Sequence, residues 1–258
     1  MPKFAANLNW LFTDLPMLER FDAASSAGFE AVEYMFPYDY DINHLADKLE
    51  TLNLVQVLHN MPPGDWAAGD RGLGCLPDRV DEFRESVVIA INAAKALKCP
   101  TVNCLSGITP AGIDPALLER TFVENLRYAA DEFAKNDIHL VIEAINTRDM
   151  PGFYLTTSAQ AFDIIEKVGS DNLTLQYDIY HMQVMEGDLA NTLADNMHRI
   201  GHLQLADNPG RHEPGSGEIN YPFLFRHIDK IGYKGWIGCE YKPAGDTLAG
   251  LGWMQTLT

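Results

Sequence analysis

Short apolar segments alternate with longer helical segments eight times along the chain, and this alternation constrains the fold most strongly. Several apolar segments are continuous rather than alternating, which is typical of strands buried on both faces of a parallel sheet. The longer segments carry helix signals, such as Asp114 before Pro115 and the capping box that begins at Thr157. The predicted strands are residues 4–7, 31–34, 55–59, 101–105, 140–143, 173–178, 202–207 and 236–241.

The number and spacing of these units favour a closed barrel. The 258 residues divide into about 32 per strand–helix unit, and a (β/α)8 barrel typically has about 250 residues. An open, doubly wound sheet is the main alternative, but no G-x-G-x-x-G motif follows the first strand. Because no linker-like segment divides the chain, we predict an α/β fold with a single TIM barrel domain over residues 1–258.

Charge and composition exclude several classes of partner. The chain has 36 acidic and 19 basic residues, a net charge of −17, and such a surface repels nucleic acids and anionic membranes. No apolar segment approaches the roughly 20 residues that cross a bilayer. Four cysteines without a C-x-x-C pair are too few for a disulfide scaffold, and the N-terminus has no long apolar stretch. We therefore expect a cytoplasmic protein with no nucleic-acid or membrane partner.

Each of the last four predicted strands carries a polar residue: Glu143, Asp178 and Glu240 lie at strand ends, and Gln204 lies inside the otherwise apolar seventh strand. One such carboxylate is often a helix cap or part of a surface ion pair, but neighbouring barrel strands bring all four together. Three carboxylates in a partly buried mouth repel one another unless a cation is present. An all-oxygen ligand set favours Mg²⁺ or Mn²⁺ over zinc. We predict a divalent-cation site on these residues and no organic cofactor.

Five further segments resemble the hydroxypyruvate isomerase family of xylose isomerase-like barrels, which also includes 2-oxotetronate isomerases and ketose 3-epimerases. They are residues 36–40 (FPYDY), 64–69 (GDWAAG), 176–181 (QYDIYH), 217–221 (GEINY) and 238–243 (GCEYKP). The resemblance implies that Glu143 and Glu240 are the catalytic pair and lie at the metal, with Asp178 and Gln204 as ligands. The epimerases have histidine where this chain has Gln204, so the metal's identity, and the need for one, stay open.

The resemblance implies the interconversion of hydroxypyruvate and 2-hydroxy-3-oxopropanoate (tartronate semialdehyde) in glyoxylate metabolism. Two carboxyl groups on opposite sides of a planar enediolate exchange the roles of base and acid, in an order that the sequence leaves open. The alternatives are a 2-oxotetronate isomerase, a related ketose 3-epimerase, or a barrel that binds a sugar acid or metal without catalysis. A barrel nuclease is disfavoured, because the chain lacks both a histidine-rich zinc cluster and a basic surface.

Cationic or proton-donating groups are needed to hold the carboxylate of a small keto-acid or sugar-acid substrate at so acidic a site. The candidates are His59, His181, Arg211 and Lys242. His59 is better explained as a structural hydrogen-bonding group, whereas Arg211 and Lys242 are equally well explained as solvated charges. His181 has the further support of the Asp-x-x-His spacing at a strand end.

Two long polar loops, residues 60–79 and 208–221, follow predicted strands and so lie over the barrel mouth, where TIM barrel sites are built. Trp66 in the first loop is a candidate lid residue or a packed loop aromatic. Glu33 is a candidate for orienting the substrate or a neighbouring side chain, or for a salt bridge. A homo-oligomer stays open, since aromatics such as Tyr38 suit either an interface or the mouth.

Overall fold

The computed structural model describes residues 2–258 and contains a closed barrel of eight parallel strands in sequential order. Strand β1 pairs with both β2 and β8, which closes the barrel and excludes the open-sheet alternative. Each predicted strand is present, with its bounds within two residues of those observed. The strands are β1 Lys3–Asn7, β2 Ala31–Glu33, β3 Val55–Asn60, β4 Thr101–Cys104, β5 His139–Glu143, β6 Leu173–Asp178, β7 Ile200–Leu205 and β8 Trp236–Cys239.

Helices follow the strands and begin at the polar residues that the sequence suggested. The Asp114 side chain accepts a hydrogen bond from Ala116 N at 3.0 Å, and Thr157 accepts one from Gln160 N at 3.2 Å. The helices are α1 Met17–Ser26, α2 Ile42–Thr51, α3 Val80–Leu97, α4 Pro115–Ala134, α5 Ser158–Val168, α6 Ile179–Met185, α7 Leu189–Asn196, α8 Tyr221–Lys230, α9 Thr247–Gly250 and α10 Trp253–Thr256. Within residues 2–258, none of them is long and apolar enough to cross a membrane.

The barrel interior changes character from one end to the other. Near the N-terminal ends of the strands it is filled by small and branched apolar side chains, including Ala5, Ala31, Val57 and Val141. At the C-terminal ends every strand, or the residue just after it, supplies a buried or half-buried polar side chain. These are Asn7, Glu33, Asn60, Asn103, Glu143, Asp178, Gln204 and Glu240.

Strand register and one glycine set the spacing of this polar layer. Asp178 pairs with Gln204 between β6 and β7, and Gln204 pairs with Gly238 between β7 and β8. A Cβ atom at Gly238 would lie 2.2 Å from Glu33 Oε1. Glycine is therefore needed in β8 to leave room for the Glu33 carboxylate inside the barrel.

Candidate active site

The polar layer forms the floor of a cavity of about 560 Å³ at the C-terminal mouth of the barrel. Of the ten residues that the sequence suggested, seven line this cavity: Trp66, Glu143, His181, Gln204, Arg211, Glu240 and Lys242. The other three, Glu33, His59 and Asp178, are fully buried next to it or beneath it.

Glu240 follows β8 and is held by three donors. Its Oε1 accepts a hydrogen bond from Arg211 Nη2 at 2.7 Å, and its Oε2 accepts one from Gln204 Nε2 at 2.6 Å and one from Asn7 Nδ2 at 3.4 Å. Burial raises the pKa of Glu240 to about 8, although Arg211 opposes the shift. The carboxyl group can therefore gain or lose a proton near neutral pH.

Glu143 ends β5 and faces the same cavity with fewer partners. Its Oε2 accepts a hydrogen bond from Asn103 Nδ2 at 3.2 Å. Burial raises the pKa of Glu143 well above its ordinary value, and repulsion from Glu240 and Asp178 adds to the shift. The two glutamates thus share one cavity and are close enough for their charges to interact.

Asp178 ends β6 and uses one carboxylate oxygen to cap the following helix. Its Oδ1 accepts hydrogen bonds from Tyr180 N at 2.7 Å and His181 N at 3.2 Å. Nothing in residues 2–258 donates to its Oδ2, although that atom is buried. Burial raises the pKa of Asp178 to about 6. A buried carboxylate oxygen without a donor is suited to a cation.

Three groups lie close enough to hold one metal ion. Single ligand atoms of Glu143, Asp178 and His181 all lie within 4.8 Å of one another. Burial and the nearby Arg211 lower the pKa of His181 well below its ordinary value, so its imidazole is neutral. Two carboxylates and a cavity-facing polar floor make a donor set that fits a divalent cation.

Gln204 presents its amide nitrogen, not its oxygen, to the nearby carboxylates. Its Nε2 donates to Glu33 Oε1 at 2.7 Å and to Glu240 Oε2, and its Oε1 accepts a hydrogen bond from Gln176 Nε2 at 2.6 Å. Gln176 Oε1 has no partner within the described chain. A half-turn of both amides would keep their mutual hydrogen bond and direct Gln204 Oε1 towards Glu240, at the expense of the bonds from Gln204 to Glu33 and Glu240.

Glu33 lies beneath the cavity and connects several side chains of the floor. Its Oε1 accepts hydrogen bonds from Asn7 Nδ2 at 2.9 Å and from Gln204 Nε2, and its Oε2 accepts one from His202 Nε2 at 2.7 Å. Asn7 and Gln204 each also contact Glu240 Oε2. Glu33 therefore fixes the two amides that hold Glu240.

Arg211 covers the site from the loop between β7 and α8. Its guanidinium group lies 4.4 Å from the ring centre of Trp10 and 5.1 Å from that of Tyr180. Besides its ion pair with Glu240, its Nη1 lies 3.4 Å from Asp149 Oδ2. Arg211 adopts a left-handed backbone with φ of 53°, so the loop itself must hold it there.

The carboxylate of Asp207 ties this loop together. Its Oδ1 accepts hydrogen bonds from Asn208 N and Ile219 N, and its Oδ2 from Gly215 N and Gly217 N, over 2.8–3.0 Å. Asp207 is 1% exposed, and these four bonds organise the backbone on either side of Arg211. Sequence reasoning missed this role, because a carboxylate that serves backbone groups of its own loop has no distinctive spacing.

The remaining predicted residues differ in how they relate to the cavity. Lys242 lines the mouth with an exposed side chain. Trp66, which is 36% exposed, lines it too, with Arg71 over its ring at 4.0 Å. His59 does not line it and packs edge-on against Tyr38, with Nδ1 3.1 Å from Asn60 O. Burial lowers the pKa of His59 to about 4.

The structure adds lining residues that the sequence did not single out, among them Asn7, Trp10, Asp149 and Tyr180. Trp10 Nε1 is buried beside Glu240, and its N–H group acts to lower the pKa of that carboxyl against the effect of burial. A polar residue ending β1, as in β5 and β6, would have identified Asn7. No comparable signal marks Trp10 or Asp149, because both lie in loops.

Comparisons with known proteins agree with this architecture. Residues 21–257 match the family described as "Xylose isomerase-like TIM barrel". Hydroxypyruvate isomerase of Escherichia coli (strain K12) is 54% identical over 255 residues, covering 99% of each chain. The 2-oxo-tetronate isomerase of Pectobacterium atrosepticum is 47% identical, covering 99% of this chain and 97% of that protein.

A crystal structure from Brucella melitensis, titled AP endonuclease, family 2, has a TM-score of 0.97 and 47% identity, covering 99% of each chain. This likeness extends over nearly the whole of both chains. Because both the family match and the isomerase relatives span nearly the whole chain, the protein belongs to the xylose isomerase-like TIM barrel family, among the isomerases related to hydroxypyruvate isomerase.

Proposed function

We propose that the protein interconverts hydroxypyruvate and 2-hydroxy-3-oxopropanoate. The observation that carries the proposal is the pair of buried carboxyl groups, Glu143 and Glu240, which line one cavity and have raised pKa values. The relative named hydroxypyruvate isomerase, at 54% identity over nearly all of both chains, supports this substrate.

The reaction moves a carbonyl group between C2 and C3 of the acid by proton transfers at both carbon atoms and at both oxygen atoms. One carboxylate removes a C3 proton of hydroxypyruvate, which leaves an enediolate. The C3 hydroxyl proton then moves to the oxygen on C2, and the other carboxylic acid delivers a proton to C2, which gives the C3 aldehyde and the C2 hydroxyl group. A base and an acid work best when their pKa values lie near the working pH, and burial moves both glutamates in that direction. In the reverse direction the two groups exchange roles.

We propose that Mg²⁺ or Mn²⁺ binds at Glu143, Asp178, Gln204 and Glu240. The unpartnered Asp178 Oδ2 supports this set, and Gln204 joins it once its amide has turned as described above. When bound, the ion supplies positive charge that stabilises the negative oxygen atoms of an enediolate. The chain itself contributes hydrogen bonds from Asn7 and Asn103 that keep the two glutamates in place.

We propose that Arg211, Lys242 and His181 bind the carboxylate and the other oxygen atoms of the substrate. Arg211 and Lys242 are the cationic side chains that line the cavity in residues 2–258. We assign no substrate contact to His59, because it lies outside the lining. Trp66 at the mouth is the proposed lid, since its indole ring excludes water when it lies over the cavity.

A 2-oxotetronate isomerase is the second candidate function. Relatives with this name are 47% and 45% identical over 99% of the chain. The cavity of about 560 Å³ also has space for an acid one hydroxylated carbon longer than hydroxypyruvate. Nuclease activity is not proposed, because a net charge of −17 opposes binding of a phosphate backbone. We propose a cytoplasmic location, because the four cysteines are buried free thiols.

A comparison of kcat/KM for hydroxypyruvate, 2-oxotetronate and D-fructose tests the assignment. Each substrate is measured with chelator-treated enzyme and again after addition of Mg²⁺ or Mn²⁺. We expect the highest value with hydroxypyruvate and a higher rate with metal. A preference for 2-oxotetronate selects the second candidate, a preference for the ketohexose selects an epimerase, and an unchanged rate after exhaustive chelation contradicts the metal proposal.

A further inference from the structure

We propose that Asn146 is a positioning residue that fixes the imidazole tautomer of His181, so that His181 Nε2–H points into the cavity as a hydrogen-bond donor to a substrate oxygen. The effect of this tautomer on catalysis rests on the proposed isomerase function. The tautomer itself depends only on the hydrogen bonds around Asn146. Asn146 is fully buried, three residues after Glu143.

The orientation of the Asn146 amide is set by the backbone around it. Its Oδ1 accepts hydrogen bonds from Arg148 N at 3.0 Å and Asp149 N at 2.8 Å. Backbone N–H groups only donate, so the atom that faces them must be the oxygen. Its Nδ2 then faces Asp149 Oδ2 at 3.2 Å and His181 Nδ1 at 2.6 Å.

This orientation decides which nitrogen of His181 carries the proton. The Asn146 NH₂ group only donates, so His181 Nδ1 must offer its lone pair. A neutral imidazole with an unprotonated Nδ1 carries its proton on Nε2. Three fixed groups, namely two backbone amides and the Asp149 carboxylate, thereby set the tautomer through Asn146.

The protonated Nε2 faces the centre of the site without a close acceptor in the described chain. It lies 3.7 Å from Asp178 Oδ2, 3.9 Å from Glu143 Oε1 and 3.4 Å from Arg211 Nη2. The arginine nitrogen is itself a donor, so this contact is not a hydrogen bond. A nitrogen that carries a proton has no lone pair for a metal, so in this tautomer His181 is not a ligand, and of the three groups that lie close together only the carboxylates of Glu143 and Asp178 can hold a cation.

A neutral N–H group in this place stabilises negative charge on a substrate oxygen without giving up its proton. Preorganised donors of this kind act where charge develops during the reaction, and removing one costs roughly 10²–10³ in kcat. An aspartate at position 146 would place an acceptor against His181 Nδ1 and favour the opposite tautomer. Asparagine is therefore the side chain that this arrangement requires.

Nitrogen NMR of the resting enzyme tests the tautomer directly. The protein is labelled with ring-¹⁵N histidine, and the His181 signals are identified by their loss in His181→Gln. We expect His181 to carry its proton on Nε2, with Nδ1 unprotonated. A proton on Nδ1 alone, or on both nitrogens, overturns the proposal, and this result needs no variant at position 146 that folds.

The Asn146→Asp variant tests the consequence, with Asn92→Asp on the exposed face of α3 as the matched control. We expect the Nδ1–H form of His181 in Asn146→Asp, and kcat reduced roughly a hundredfold with KM changed much less. Wild-type kcat, or retention of the Nε2–H form, contradicts the inference. Absence of isomerase activity in both the wild type and Asn92→Asp overturns the proposed function instead, and the NMR result still decides the tautomer.

Discussion

Replacing Glu33 with alanine removes one acceptor that three buried donors share beneath the cavity. Glu33 is fully buried and accepts hydrogen bonds of 2.7–2.9 Å from Asn7, Gln204 and His202. A buried donor that loses its acceptor costs about 1–3 kcal/mol, and Asn7 and Gln204 keep their contacts with Glu240, so the three donors together cost about 3–5 kcal/mol. For a chain of this size each kcal/mol lowers the melting temperature by about 2–4 °C, so we expect a decrease of about 6–20 °C.

The same substitution also frees the two amides that hold Glu240. Asn7 Nδ2 bridges Glu33 Oε1 and Glu240 Oε2 in either orientation of the Gln204 amide, so loss of Glu33 lets the Glu240 carboxylate shift. We expect kcat/KM to fall at least tenfold, which corresponds to about 1.4 kcal/mol of transition-state stabilisation. Gly238→Ala should act in the same direction, because its Cβ would lie 2.2 Å from Glu33 Oε1.

Calorimetry and steady-state kinetics measure both effects. Glu30→Gln is the control for an acidic residue, since Glu30 is exposed just before β2. Glu33→Gln keeps the shape and one acceptor oxygen, so it should lose less stability, about 1.5–3 kcal/mol for a hydrogen bond to a charged group. If Glu33→Ala melts within about 2 °C of the wild type and keeps its kcat/KM, the bridging role of Glu33 is refuted.

Three further perturbations have defined outcomes. Burial raises the pKa of Asp178 from 3.8 to about 6 and that of Glu240 from 4.5 to about 8. The folded state therefore holds these protons more tightly than the unfolded state, and the two groups stabilise the metal-free fold most below about pH 4. Its melting temperature should fall as the pH rises to about 8, and a rise would contradict the burial argument. Asp207→Asn leaves one acceptor oxygen for four backbone N–H groups, so we expect about 1–3 kcal/mol lower stability and faster proteolysis within residues 208–220. Arg211→Lys cannot span Glu240 and Asp149 together, so kcat/KM should fall roughly 10- to 100-fold, and a wild-type value would exclude that role.

The polar residues of the cavity floor could be predicted from the sequence, because side chains alternate between the two faces of a strand with a period of two residues. Glu143, Asp178, Gln204 and Glu240 each follow an apolar run, and a closed barrel brings the ends of parallel strands to one rim. The sequence therefore predicted the barrel, its order and most of the cavity floor. Whether these residues bind metal stays a prediction.

His59 shows that an error of one residue in the end of a strand changes which side chain is expected to face the cavity. The sequence predicted that β3 ends at position 59, whereas the strand continues to Asn60. Successive side chains of a strand point to opposite faces, so Asn60 lines the cavity and His59 packs outside it. Hydrophobicity alone does not settle an end point to that accuracy.

Residues in loops were the main omission. Asn146, Asp149 and Asp207 act through backbone N–H groups or through one another, and those contacts depend on loop conformations that no periodic pattern encodes. The amide orientation of Gln204 could not be predicted from the sequence either, because it depends on the hydrogen-bond partners that Gln176 and Glu33 provide.

Proton exchange in D₂O with Glu143→Gln and Glu240→Gln tests the two-carboxylate reaction most directly. Each variant is incubated with hydroxypyruvate and with 2-hydroxy-3-oxopropanoate, and deuterium is measured at C3 and at C2. We predict that isomerisation falls roughly 10²–10⁴-fold in both variants. One variant should still exchange only at C3 and the other only at C2. Wild-type turnover in either variant, or exchange at both carbons in one of them, would show that these glutamates do not divide the proton transfers between them.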